Sequence, residues 1–142
     1  ADHAATELKE TLKAALAEEG YVVDDVSPAV PEAGDDYPDY AFRVAEAVAA
    51  DPEGTRGILV CDTGIGMDIS ANKVRGVRAA LVTNEFGARR AREHNDANIL
   101  VFGAEFITPT DAVRSATAFL ATSFTSEERH VRRVGKITER EQ

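Results

Sequence analysis

The stretch GILVCDTGIGMDIS, residues 57–70, decides the fold prediction, because it joins an apolar run to a glycine-rich turn and a helical pattern. The run GILVC (57–61) shows no alternation of apolar and polar residues, which is typical of a strand buried on both faces of a parallel sheet. Beyond the turn, DISANKV (68–74) predicts a short helix. A strand, a tight turn and a helix in this order indicate an α/β unit.

Strand and helix patterns alternate on both sides of this stretch. Leu8, Leu12 and Leu16 recur at helical spacing, and Gly20 is placed to end that helix. Further helices are predicted over residues 38–50, 85–95, 108–123 and 127–141, and further strands over residues 21–26, 78–82 and 98–103. This alternation favours a parallel sheet with helices on both faces. We predict one domain, residues 1–142, with a three-layer, Rossmann-like, doubly wound α/β fold.

Composition limits the possible function classes. The chain has 142 residues, of which 44% are hydrophobic and 29% charged, as in a soluble globular domain. Its formal net charge of −9 argues against nucleic-acid or membrane-surface binding, which needs clustered positive charge. No apolar stretch approaches the ~20 residues of a membrane span, and no signal peptide is recognisable. A single cysteine fits a reducing compartment, so we predict a cytoplasmic protein.

Cys61, the only cysteine, stands at the end of the predicted strand and at the start of the glycine turn. Ligands of open parallel sheets bind at the carboxyl ends of the strands, so we expect Cys61 to face a ligand crevice. The turn can direct several backbone N–H groups at one anion, and the following helix is expected to lower the pKa of the thiol. The alternative is a buried structural cysteine before an ordinary turn.

Known anion-binding motifs fit this turn poorly. A P-loop would need lysine where Met67 follows Gly66, and a dinucleotide fingerprint would need a third glycine where Ile69 stands. A cysteine phosphatase loop would place an arginine at the position of Met67. A thiol beside an anion hole is the interpretation that remains.

Three histidines and one basic helix face are the other candidate functional residues. His3 lies in a turn near the start, His94 lies at a helix end, and His130 lies in the last helix; a cap or surface role is the alternative for each. No two of them share metal-ligand spacing, so neither a metal nor another cofactor is expected. The basic face is either solvated or a docking site for one phosphate group. It consists of Arg129, Arg133, Lys136 and Arg140.

Five motifs run in order along nearly the whole chain, from Asp2 to about Ile137. They are DHA, DYPDYA, GILVCDTGIGMDISANKVRGVRAALV, AREHNDANILVFG and RHVRRV. Together they resemble the sugar-phosphate isomerase family that includes type B ribose-5-phosphate isomerases and galactose-6-phosphate isomerase subunits. The resemblance implies aldose–ketose isomerisation of a phosphorylated sugar through a cis-enediolate. It also implies a homodimer or a dimer of dimers whose active sites are shared between subunits.

The resemblance implies a role for each matching residue. Cys61 corresponds to the base that moves a proton between C1 and C2, and His94 corresponds to the acid that helps open the sugar ring. Thr63 offers a hydroxyl beside the anion hole. The resemblance further implies that substrate is bound by Asp2, His3, Tyr37, Asp62, Gly64, Ile65, Gly66, Asn95, Arg129 and Arg133.

Three departures from the family pattern qualify these implications. Asp62 stands where the family usually has glycine, and Glu105 stands where an arginine helps to bind phosphate. Family members also begin with a strand before the DHA turn, so residues upstream of Ala1 are expected. The two acidic departures favour a tetrose or hexose phosphate as an alternative to ribose 5-phosphate.

Two other function classes stay open. One is a non-catalytic sugar-phosphate-binding protein on the same fold, which would bind a phospho-sugar without exchanging its C1 or C2 protons. The other is a phosphocysteine carrier of the sugar-transport type, which would leave His94, Asn95 and the C-terminal arginines unexplained.

Overall fold

The computed structural model describes residues 1–28 and 34–141, and it has three layers, with a parallel sheet between two layers of helices. The strands are β1 (Gly57–Cys61), β2 (Ala79–Leu81) and β3 (Ile99–Gly103). The helices are α1 (Thr6–Glu18), α2 (Tyr37–Ala50), α3 (Ile65–Ala71), α4 (Glu85–Asn95), α5 (Pro109–Ala121) and α6 (Glu128–Thr138), with short 3₁₀ turns at His3–Ala5 and Glu139–Glu141. None of the helices within the described ranges has both the length and the apolar character needed to cross a bilayer.

The sheet has the strand order β1-β3-β2, and both strand pairs are parallel. Cys61 lies opposite Gly103, and Leu81 lies opposite Val101. The chain therefore leaves β1 through α3, reaches the far edge at β2, and returns through α4 to the central strand β3. This crossover topology confirms the predicted doubly wound α/β class.

The core lies on both faces of the sheet, which explains the continuous apolar runs. Leu100 and Phe102 of β3 pack with α1, α4 and α5, while Ile99 and Val101 pack with α2 and α3. All four side chains are completely buried. Because successive strand residues point to opposite faces, a central strand covered on both sides has no position for a polar residue.

The starts of α4 and α5 follow local capping chemistry, which makes these two predictable from the sequence. Asn84 accepts a hydrogen bond from Gly87 N at 2.9 Å before α4, and Thr108 accepts one from Asp111 N at 3.1 Å before α5. The prediction for α3 was late by three residues. Gly64, with φ of +77°, turns the chain in the left-handed region directly after the strand, so α3 begins at Ile65 rather than at residue 68.

Residues 21–26 were predicted as a strand, and this prediction is wrong, since the segment pairs with no strand in the described part of the chain. A cavity of about 80 Å³ lies between it and β1, and Val22 is fully exposed. Instead of a backbone ladder, Asp25 holds the segment through Lys9 at 2.9 Å and Lys13 at 2.8 Å. Valine content alone cannot make a strand where no neighbouring backbone is within hydrogen-bonding reach.

Candidate active site

The turns that follow β1 and β3 meet at the carboxyl edge of the sheet. Ala104 N donates to Cys61 O at 2.9 Å, and Glu105 N donates to Asp62 O at 3.0 Å. A Cβ on Gly103 would touch the carbonyl oxygen of Thr63, so the two turns are in direct contact. The edge they form is the ordinary ligand-binding edge of an open parallel sheet.

Cys61 presents its sulfur to the backbone N–H groups of the glycine turn. Gly64 N donates to Cys61 Sγ at 3.1 Å, and the residue is only 5% exposed. Burial raises the pKa of the thiol; the N–H of Gly64 lowers it, and the charge of Asp2 raises it again. The net effect is a raised pKa, so the lowering that we expected from the start of α3 is outweighed by burial.

Two positions of the glycine turn are glycine because the surrounding atoms leave no room for a side chain. A Cβ on Gly64 would come within 2.5 Å of Leu81 Cδ1 and 2.9 Å of the backbone of Phe102. A Cβ on Gly66 would touch the ring of Tyr37, which shows that this ring packs on the turn. Tyr37 still keeps 42% of its surface exposed.

The two polar side chains of the glycine turn, Thr63 and Asp62, differ in what they can offer to a ligand. Thr63 Oγ1 accepts a hydrogen bond from Ile65 N at 3.4 Å, a long bond that leaves its proton free to donate. The side chain of Asp62 is exposed, so the carboxylate that acts on the Cys61 thiol is that of Asp2.

Asp2 and His3 stand beside β1, at the start of the first 3₁₀ turn. Asp2 is buried and accepts a hydrogen bond from Ala4 N at 3.2 Å, and burial raises the pKa of its carboxyl. His3 Nδ1 bonds to Asp35 Oδ1, and Tyr40 donates its hydroxyl to Asp35 Oδ2 at 2.7 Å. A buried tyrosine, a carboxylate and an imidazole thus form one chain of contacts that ends at the candidate site.

His94 and Asn95 lie at the opposite edge of the sheet, because α4 ends where β3 begins. The rings of His94 and His130 stack with centroids 4.2 Å apart and planes inclined by 13°. His130 is 3% exposed, and burial, followed by the charge of His94, lowers its pKa. Arg90 Nη1 lies 3.3 Å from His94 Nε2.

Arg129 and Arg133 belong to the same edge as His94, since α6 packs against α4. Arg129 is exposed and pairs with Glu127 at 2.9 Å, and Arg133 is exposed one turn further along α6. Surface pairs of this kind are weak, so Arg129 can exchange Glu127 for a phosphate group at little cost.

The structure therefore divides the predicted site residues into two groups. The Cys61 half-site, at the carboxyl edge, contains Asp2, His3, Tyr37, Cys61, Asp62, Thr63, Gly64, Ile65 and Gly66. The His94 half-site, at the amino edge, contains His94, Asn95, Arg129 and Arg133. The five residues of β1 span about 13 Å, and the two half-sites lie at opposite ends of the strands. One chain therefore does not bring the two half-sites together.

Asp35 and Arg90 are residues that sequence reasoning did not select. Asp35 is one of 25 acidic residues in the chain, so nothing in the sequence distinguishes it. Arg90 lies four residues before His94, so helical spacing alone could have placed it beside that ring.

Comparison with known proteins identifies the family. Residues 1–137 match the ribose/galactose isomerase family model. A crystal structure of ribose-5-phosphate isomerase B from Mycoplasma genitalium with bound ribulose-5-phosphate is 40% identical, with a TM-score of 0.94 over 99% of this chain and 91% of that chain. Ribose-5-phosphate isomerase B of Escherichia coli is 40% identical over 141 residues, 99% of this chain and 93% of the relative.

The name of a further relative indicates that it acts on a shorter sugar. D-erythrulose-4-phosphate isomerase of Pectobacterium atrosepticum is 42% identical over 124 residues, 87% of this chain and 81% of the relative. The chain belongs to the ribose/galactose isomerase family, as its motifs indicated.

Proposed function

We propose that this chain interconverts an aldose phosphate and its ketose, with Cys61 as the base. The chain is a sugar-phosphate isomerase by family. The observation that supports the assignment of the base is the position of Cys61 Sγ, which ends β1 and lies 3.1 Å from Gly64 N. A sulfur at this place lies at the ligand-binding edge of the sheet, beside backbone donors that an enediolate needs.

The reaction is an internal redox exchange between two carbon atoms. The Cys61 thiolate takes the proton from C2 of the open-chain aldose, and the electron pair of that C–H bond forms the C1–C2 double bond of a cis-enediolate. Backbone N–H groups of the glycine turn stabilise the negative oxygen. The thiol then returns the proton to C1 while O2 loses its hydroxyl proton and O1 gains one. C2 is oxidised and C1 is reduced.

The raised pKa of Cys61 suits a base that works on a carbon acid. A thiolate with a higher pKa accepts a proton more strongly, and the same burial that raises the pKa keeps water away from the enediolate. Thiolate formation then depends on the N–H groups of Gly64, Thr63 and Met67, which favour the charged sulfur.

We infer that a second copy of the chain completes each site. The Cys61 half-site has a base and an anion hole but lacks the acid, and the His94 half-site has the acid and the arginines but lacks the base. A homodimer in which the carboxyl edge of one chain faces the amino edge of its partner joins them. Exposed apolar side chains support such an interface; they include Ile65, Ile69 and Phe86.

A tetrose phosphate is the second candidate substrate, and Glu105 is the observation that favours it. Its backbone N donates to Asp62 O and both residues are exposed, so two acidic residues lie next to each other beside the Cys61 half-site. Carboxylates accept hydrogen bonds from sugar hydroxyls and repel a phosphate dianion. The phosphate is then held by Arg129, Arg133 and His3 without help from position 105.

The proposal is tested with four-, five- and six-carbon aldose and ketose phosphates and with the variant Cys61→Ala. Wild-type protein should interconvert at least one pair and exchange its C1 or C2 proton with deuterated solvent. Cys61→Ala should lower kcat by about a thousandfold or more while KM changes by less than about tenfold, because a base acts mainly in the transition state.

Retention of more than about a tenth of kcat in Cys61→Ala would assign the proton transfer to another residue. A protein that binds a phospho-sugar but exchanges no proton would be the non-catalytic binding protein instead.

A further inference from the structure

His3 is held in one orientation by contacts on one side of its ring. Its Nδ1 bonds to Asp35 Oδ1, and its backbone N donates to the same oxygen at 3.4 Å. The second oxygen of Asp35 accepts the hydroxyl of Tyr40 at 2.7 Å, and Tyr40 is buried in the core beneath α2. Asp35 is thus held in place by the buried Tyr40, and it contacts His3 at two atoms.

The opposite side of the His3 ring is free to meet a ligand. The side chain is 43% exposed, and Nε2 makes no hydrogen bond within residues 1–28 and 34–141. With Nδ1 occupied by a carboxylate, Nε2–H is the one ring donor left for another molecule. His3 lies next to Asp2, whose charge reaches the Cys61 sulfur, so this donor stands at the rim of the Cys61 half-site.

The charges around His3 favour its protonated form. The hydrogen bond to Asp35 raises the pKa of His3 despite partial desolvation, and Asp2 raises it further. The bond to His3 correspondingly lowers the pKa of Asp35. The Tyr40 hydroxyl, which donates to the second oxygen of Asp35, also lowers the pKa of that carboxyl.

We propose that Asp35 is a positioning residue that holds His3 as an imidazolium and directs its Nε2–H at the phosphate group of the substrate. The inference rests on the proposed sugar-phosphate function, and it adds a residue that the family motifs do not contain. The arrangement supplies a cation on the Cys61 half-site, beside the two exposed acidic residues Asp62 and Glu105.

The alternative is that Asp35 only ties a loop to the core. A structural role predicts a loss of stability and an equal loss of binding at every pH. A positioning role predicts a loss of phosphate binding only where the variant's imidazole is neutral and the wild-type imidazole is still charged. This pH window lies between the His3 pKa of the variant and the His3 pKa of the wild-type protein. Below the window the two proteins should behave alike.

The experiment uses Asp35→Asn, which keeps the size of the side chain and one accepting oxygen for His3 but removes the charge; its amide N–H then donates to the Tyr40 hydroxyl. NMR titration of the His3 ring gives its pKa in each protein, and the same signals report the Kd of inorganic phosphate. Asp35→Asn should lower the His3 pKa and weaken phosphate about tenfold inside the window, with less than about twofold change below it. With a turned-over substrate, KM should follow the same pattern while kcat stays within about twofold.

Asp39→Asn is the matched control, because Asp39 is an exposed carboxylate on the same stretch of chain and lies in the first turn of α2. It should leave the His3 titration and the phosphate Kd unchanged. His3→Gln should weaken phosphate at all pH values, and Asp35→Asn should add nothing to it in the double variant.

Three results would overturn the proposal. The first is a His3 pKa that does not fall in Asp35→Asn. The second is a phosphate Kd that changes equally at all pH values, which would assign Asp35 a structural role. The third is a His3 ring that does not respond to phosphate. Failure of the proposed isomerisation is a separate result, seen as the absence of turnover on the sugar panel, and the phosphate titration decides on Asp35 even then.

Discussion

At the scale of single residues, Cys61 is subject to opposing effects. Burial and the carboxylate of Asp2 raise the pKa of its thiol, and the N–H groups of the glycine turn lower it. A pKa raised above the ordinary range of a thiol favours the neutral form of Cys61. A neutral, buried thiol reacts slowly with oxidants and alkylating agents, so we expect Cys61 to resist both.

Glu105 borders the site at the position where the family usually has an arginine. This difference leads to a prediction about substrate choice. Glu105→Arg should raise kcat/KM for ribose 5-phosphate by about tenfold, since a charge-assisted contact to phosphate is worth roughly 1.5–3 kcal/mol. The same change should lower kcat/KM for the tetrose phosphate. The measurement is the ratio of the two kcat/KM values, with Glu53→Arg, an exposed charge reversal in the loop after α2, as the control.

A ratio that stays within about twofold of wild type would show that Glu105 does not select the substrate. Glu105→Gln separates the two possible causes. It removes the repulsion of phosphate but still accepts a hydrogen bond from a sugar hydroxyl.

At the scale of elements, the sequence was a good guide where the signals are local. The bounds of β1 and α4 agree with the prediction, because an unbroken apolar run and an Asn84 cap depend only on neighbouring residues. Residues 21–26 were mispredicted because strand formation depends on a partner that may lie anywhere in the chain. The role of Asp35 was invisible for the same reason, since only folding brings it to His3.

The contacts of Asn98, directly before β3, lead to a prediction about how the loop before β2 contributes to stability. Its Oδ1 accepts a hydrogen bond from Arg78 N at 2.8 Å, and its Nδ2 donates to Gly76 O at 2.8 Å. The side chain is buried, so Asn98→Ala would leave two polar groups without partners. We expect a loss of about 2–3 kcal/mol in the free energy of unfolding, measured by urea denaturation.

Asn72→Ala is the matched control for this prediction. Asn72 also bonds to both backbone groups of Ala79, and its Nδ2 donates to Asp68 O as well, but it is exposed, so water can replace the lost hydrogen bonds. Its loss should be about 1 kcal/mol or less. Equal losses for the two variants would contradict the view that burial sets the energy of the Asn98 contacts.

At the scale of the whole molecule, the separation of the two half-sites predicts complementation between inactive chains. Cys61→Ala lacks the base, and His94→Ala lacks the acid. When the two are mixed and their subunits exchange, about a quarter of wild-type activity should return, because about half of the dimers are hybrids with one intact site each. Activity is measured after hybrids have been verified by mass spectrometry of the intact dimer.

The control for complementation is a mixture of Cys61→Ala with Cys61→Ser. Both chains are altered in the same half-site, so no hybrid can contain a complete one. If verified hybrids of Cys61→Ala and His94→Ala remain as inactive as this control, the active site is not shared between subunits.

If the active site is shared between subunits as proposed, the position of Cys61 and His94 at opposite edges of the sheet also has a genetic consequence. A chain that carried both Cys61→Ala and His94→Ala would inactivate any partner, because it could offer neither a base to the partner's acid nor an acid to the partner's base. Such an allele would be dominant. Activity in a cell that expressed both forms would follow the square of the fraction of intact chains rather than the fraction itself.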